Sequence, residues 1–147
     1  MKRVGSLVWG VVVLLVALPV HGQEAEVEAA VRGTLDAWRN GEYAEFVAAY
    51  HPDARGFFLD GGDVIASFSL EALEATAEAG FQADVRLRDL DVVVYDATSV
   101  AVGLLEGALT LPGGLRLEGV WRYSETRVAT DGAWKIVQFH ISPREGA

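Results

Sequence analysis

The chain has no cysteine among its 147 residues. That absence excludes a disulfide scaffold, a zinc ribbon, thiol catalysis and lipoprotein-type acylation. Basic residues are scarce, 12 Lys and Arg against 21 Asp and Glu, which sets the net charge at −9. Duplex binding leans on Lys and Arg to neutralise phosphates, so nucleic acid is not an expected partner. A Gly-x-Ser-x-Gly elbow, a phosphate loop and a dinucleotide fingerprint are all missing. With 3 histidines, two of them beyond position 22, and no cysteine, a closed transition-metal site is not expected, while a carboxylate-rich cation site stays open; no cofactor is expected. Charged residues make up only 22% and hydrophobic ones 51%, enough for one proper core at this length.

What is present begins with Lys2 and Arg3, followed by the apolar run Leu7 to Val20 and then His21-Gly22-Gln23. A basic start, a short apolar segment and small residues before a cut describe a secretory signal peptide. Pro19 and His21 stop the run short of the about 20 apolar residues that a spanning helix needs. The expected organisation is a signal peptide over 1–22 and one domain over 23–147, exported to the periplasm or secreted, with no membrane contact after cleavage; the alternative is an uncleaved anchor, since Val4 to Val20 is nearly apolar throughout. Loss of Lys2 and Arg3 leaves 10 basic and 21 acidic residues, a net charge of −11.

In the remaining chain, Val27, Val31, Leu35 and Trp38 recur at helical spacing, and Asn40-Gly41 supplies a stop. A second short helix carries Tyr43, Phe46, Val47 and Tyr50 and ends at His51-Pro52-Asp53. Arg55 to Leu59 reads as a strand, broken by Asp60-Gly61-Gly62-Asp63. Ser69 is placed to cap a third helix, with Leu70, Leu73 and Ala77 buried and Gly80 at its end. Four longer strands follow: Val85 to Tyr95, Ser99 to Leu111, Leu115 to Val128 and Trp134 to Ser142. Asp131-Gly132 between the last two is a strong hairpin signal. Helices gathered first and antiparallel strands last predict an α+β domain whose sheet curls around the helices.

The segment Arg122-Tyr-Ser-Glu-Thr-Arg-Val128, with Asp131-Gly-Ala-Trp134 and Phe139-His-Ile-Ser142, resembles a known family. It is similar to SnoaL-like (DUF4440-type) members of the nuclear transport factor 2-like superfamily, and the calcium/calmodulin-dependent kinase II association domain looks like a near relative. Asn40-Gly41-Glu42-Tyr43, Phe46 and Pro52-Asp53 match the end of helix one and the start of helix two in the same family. The resemblance implies a cone: a curved antiparallel sheet wrapped on a long helix, a pocket at the wide end, and frequent dimerisation through the sheet. Known members range from isomerases, cyclases and dehydratases to non-catalytic assembly modules, so the fold does not choose a function.

Within the last hairpin, a two-residue Asp131-Gly132 turn pairs Thr130 with Ala133, Arg127 with Ile136, Glu125 with Gln138 and Tyr123 with His140. Alternation then sets Trp121, Tyr123, Glu125, Arg127, Gln138, His140 and Ser142 on one side. His140 is a candidate proton carrier, because histidine titrates near neutral pH. Arg127 matches an arginine that lines an anion-accepting pocket in the kinase association domain; its alternative is a cross-strand ion pair with Glu125. The further arginines of the kinase domain have no counterpart here, where the chain carries Leu104-Leu105-Glu106 and Ile141.

Asp60 occupies ground that holds the carboxylate base in ketosteroid-isomerase-like relatives, with Tyr123, Tyr95 or His140 as donor. Its alternative is a plain Asp-Gly-Gly turn. Glu106, a lone charge in an apolar strand, either points into a cavity or sits at an exposed edge. The expected function is a homodimeric domain that binds a small, partly apolar ligand through Trp121, Tyr123, Arg127 and Glu106. The alternatives are an enzyme using Asp60 and His140, and an assembly module with a vestigial pocket.

Overall fold

Helix α1 (Val20–Asn40) is the axis on which everything else is wrapped. Its stripe at Val27, Val31, Leu35 and Trp38 is buried as the spacing predicts, and it packs mainly against the strand Gln82–Tyr95. The computed structural model of the protein describes residues 20–59 and 62–144. The element order continues with α2 (Tyr43–Ala48), β1 (Tyr50–Phe57), β2 (Ile65–Ala66), α3 (Leu70–Glu78), β3 (Gln82–Tyr95), β4 (Thr98–Thr110), β5 (Arg116–Thr130) and β6 (Ala133–Pro143). The six strands form one curved, unclosed sheet in the order β2-β1-β6-β5-β4-β3. This is the α+β architecture expected, with one addition: β1 runs parallel to β6. Among the described residues no helix is long and apolar enough to cross a membrane.

Three local expectations are corrected. Tyr50 does not end the second helix but starts β1, and the strand continues through His51-Pro52-Asp53. A break in the β1–β6 register between Tyr50 and Arg55 accommodates the proline, which cannot donate to a ladder. Leu70, Leu73 and Ala77 are only half-buried, and α3 has no fully buried residue. Ser69 does cap α3, its Oγ accepting from the Ala72 N–H at 3.4 Å. Phe57 is 45% exposed, since alternation along β1 turns Ala54 and Gly56 inward and Arg55 and Phe57 outward.

The third correction decides the site. Thr130 pairs with Ala133 and Arg127 with Ile136 as the hairpin rule predicts, and Asp131 and Gly132 both take positive φ. The register then slips by one residue: Thr126 pairs with Gln138, Glu125 with Phe139, Ser124 with His140 and Tyr123 with Ile141. Val137 is the extra residue of a β-bulge, and beyond it every side chain of β6 changes face. Phe139 and Ile141 point inward, while Gln138, His140 and Ser142 do not share the side of Tyr123. At Gly56, paired with Phe139, a Cβ would lie 2.3 Å from the Phe139 carbonyl oxygen, so only glycine lets β1 lie this close to β6.

Candidate functional site

Strand β5 sends Trp121, Tyr123, Glu125 and Arg127 inward, a run of period two that puts a charge pair beneath α1. Glu125 has no exposed surface and Arg127 only 2%. One carboxylate oxygen of Glu125 accepts from Arg127 Nε and the other from the Tyr123 hydroxyl. The Arg127 guanidinium also donates to Thr34 Oγ1 at 2.9 Å and to the Trp134 carbonyl at 3.3 Å. The Thr34 hydroxyl in turn donates to the Ala30 carbonyl at 2.9 Å. Both ions are therefore paired and hydrogen-bonded, which is what burial of charge requires. Of the two readings of Arg127, its geometry is that of the ion pair with Glu125.

Two tyrosines share this field. Burial, and then the neighbouring Glu125 carboxylate, push the Tyr123 and Tyr50 phenols well above their ordinary range, while Arg127 pulls the other way. Tyr50 arrives from β1, with its ring edge-on to Phe46, Phe68 and Phe139 at centroid distances of 5.0–5.3 Å. Phe68 in turn meets Phe58 at 5.7 Å, and Phe58 meets Trp38 at 5.8 Å. An aromatic chain thus runs from the polar centre to the open end of the sheet.

At that end lies a cavity of about 400 Å³ between α1, the β1 end, the β2–α3 segment and Phe81. Its walls are Trp38, Phe58, Phe68, Phe81, Ile65 and Leu73, with Ser67, Ser69, Ala72 and Thr76 completing the lining. No side chain in that lining is ionisable. A groove of about 540 Å³ lies elsewhere, between α1, α2 and the β5–β6 turn, with Thr34 and Arg127 in its lining and Glu26, Glu45 and Lys135 among its other residues.

The six residues singled out from sequence are not gathered in one place. Tyr123 and Arg127 meet in the buried network, and Trp121 is packed into the core nearby. His140 lies on the outer face of the sheet, its ring 6.0 Å from Phe57, in a shallow depression with Val102, Arg122, Ser124 and Ser142. The Val137 bulge is what moved it there. Glu106 also stands on the outer face, half-exposed and ion-paired with Arg88 at 3.0 Å across β3 and β4, so it does not point into the interior. Asp60 lies outside the described residues. Among those residues, no group of three or more His, Asp or Glu could hold a metal ion.

Sequence reading missed Thr34, Tyr50 and the aromatic wall, and it treated Glu125 only as a possible partner of Arg127. The signal for Glu125 was available in the spacing Tyr123-x-Glu125-x-Arg127 on one strand face. The wall had no such signal, because Trp38, Phe58, Phe68 and Phe81 come from four separate segments.

A long helix capped by a short one, held in a curved six-stranded sheet with an apolar mouth and a polar floor, defines an α+β roll of the nuclear transport factor 2-like kind. The chain belongs to the SnoaL-like domain family, which it matches over residues 27–144. No curated protein matches it. A nuclear transport factor 2-like protein from Cytophaga hutchinsonii is similar at a TM-score of 0.70 and 18% identity, over 83% of this chain and 98% of that one. A ketosteroid isomerase-like protein from Erwinia carotovora atroseptica superposes at 0.68 with 16% identity, covering 82% and 95%. The association domain of the calcium/calmodulin-dependent kinase II of C. elegans does so at 0.67 with 12% identity, covering 84% and 97%. At such identities the likeness establishes the fold alone.

Proposed function

We propose that this protein is an exported, homodimeric binder of a small, partly apolar molecule, held in the aromatic cavity between α1 and α3. The observation that carries this reading is the cavity itself, about 400 Å³ with four aromatic walls and no ionisable lining residue. Concave, mostly apolar sites with a few polar groups are where small ligands bind. Binding without turnover is favoured over catalysis because the described interior carboxylate, Glu125, is held by both Tyr123 and Arg127. A general base must lie within reach of the proton it takes, and Glu125 has no exposed surface and does not line the cavity.

Export is supported by the basic start and apolar run ahead of Gln23. Dimerisation is supported by the outer sheet face, where Phe57, Val93, Val100 and Val102 stand 38–45% exposed. Val93, Val100 and Val102 adjoin on β3 and β4, and contiguous exposed apolar surface marks interaction sites.

Native mass spectrometry of protein exported by its own leader, without added ligand, tests the whole reading. The expected spectrum shows a mature chain starting at Gln23, in dimers, with one extra small mass per subunit that Ala72→Trp, which fills the cavity, removes. An extra mass that survives Ala72→Trp places the ligand elsewhere and overturns the reading.

A further inference from the structure

We infer that the aromatic cavity selects an organic cation, an amine or quaternary ammonium carried on an apolar body, over neutral and anionic molecules of the same shape. This rests on the reading of that cavity as the binding site and adds the charge of its ligand. The argument starts from the walls. Trp38, Phe58, Phe68 and Phe81 converge on one space, with Trp38 stacked on Phe81 at 6.2 Å and edge-on to Phe58 at 5.8 Å. The faces of aromatic rings carry negative potential and attract ammonium groups, most strongly where water is excluded.

The surroundings act in the same direction. Helix α3, which roofs the cavity through Ala72, Leu73 and Thr76, carries Glu71, Glu74 and Glu78 and no basic residue. All three carboxylates are exposed, so they act on an approaching ligand at long range. Arg39, next to the wall residue Trp38, is already ion-paired with Asp36 at 3.0 Å. An anion would find no cationic side chain in the lining. The first turn of α3, whose N–H groups would otherwise welcome one, is capped by Ser69 and carries Glu71. Arg127, a buried cation of the interior, is tied to Glu125 and does not line the cavity.

Three probes that share one ring system separate the possibilities: naphthylmethyl-trimethylammonium, naphthalenemethanol and naphthoate, titrated at neutral pH by fluorescence. The cation is expected to bind about fivefold more tightly than the alcohol, and the carboxylate most weakly. Raising ionic strength from about 0.01 M to about 1 M shortens the screening length from about 30 to about 3 Å and is expected to narrow the gap. Replacing Glu71, Glu74 and Glu78 together by Gln, all on an exposed helix face, is expected to narrow it as well while leaving the alcohol's affinity unchanged. Ala72→Trp is expected to abolish binding of all three. Naphthoate binding as tightly as the cation, or cation and alcohol binding equally at low salt, overturns the inference while the cavity reading stands. If none of the three binds, the cavity reading itself fails and the inference falls with it.

Discussion

Glu125 and Arg127 set the terms for every residue near them. A buried ion pair adds little stability compared with a well-packed apolar pair, yet losing one member leaves a charge with nowhere to go. Glu125→Gln is therefore expected to cost roughly 3–5 kcal/mol in urea unfolding. Combining Glu125→Leu with Arg127→Met should recover most of that loss. A Glu125→Gln variant as stable as the native protein would mean that water reaches the pair. Tyr50 and Tyr123 give a second prediction. Burial and Glu125 raise both phenols, so both stay protonated in the fold after the unfolded chain has begun to release its protons. The folded state then binds more protons, and stability must fall as pH rises above about 10, the unfolded phenol value. Each tyrosine adds about 1.4 kcal/mol per pH unit to that slope until its folded pKa is reached. Unfolding midpoints measured across alkaline pH should flatten stepwise in Tyr50→Phe and Tyr123→Phe; an unchanged slope in both would sink the assignment.

Among the elements, β6 shows where local sequence is enough and where it is not. The α1 stripe, the Ser69 cap and the Asp131-Gly132 turn were legible because each is settled by neighbours a few positions away. The bulge at Val137 was not, since nothing in Lys135-Ile136-Val137-Gln138 distinguishes a bulged residue from a paired one. What forces it is distant: Ile136 and Phe139 are both buried, and two inward residues three apart cannot lie on one face of an unbroken strand. The start of β1 at Tyr50 was hidden for a similar reason, because Tyr50 is drawn into a ladder with Ile136. Deleting Val137 is the sharp test of the bulge. With it gone, Ile136 and Phe139 stand two positions apart, so an unbroken β6 keeps Phe139 and Ile141 inward and Gln138, His140 and Ser142 outward. The deletion is therefore expected to leave a folded protein by circular dichroism, with a cooperative melt. In an unbulged β6 the same deletion would turn every later side chain over, so loss of the folded state would show that β6 is in that other register.

For the whole molecule, the outer sheet face is where copies are expected to meet. Register aligns Asp91, Val102, Ser124, His140 and Phe57 in one row and Val93, Val100, Thr126, Gln138 and Arg55 in the next. Val102 is 44% exposed, so Val102→Asp should change monomer stability by no more than about 0.5 kcal/mol. In a dimer closed over this face it buries two carboxylates, and light scattering should report the mass of a single chain. A variant still dimeric would place the interface elsewhere.

The parallel partnership of β1 and β6 has a consequence for how the protein is made. β1 ends at Phe57, and the strand it must lie against begins only at Ala133, so the two halves of the aromatic core are brought together by the most distant pairing in the sheet. Such contacts are the slowest to form, because the intervening chain must be ordered first. On a ribosome, Tyr50 waits for Phe139 until β2 to β5 have all been made. A chain stopped before Ala133 has every helix and most of the sheet, and no way to close the wall against which Tyr50 and Phe68 pack.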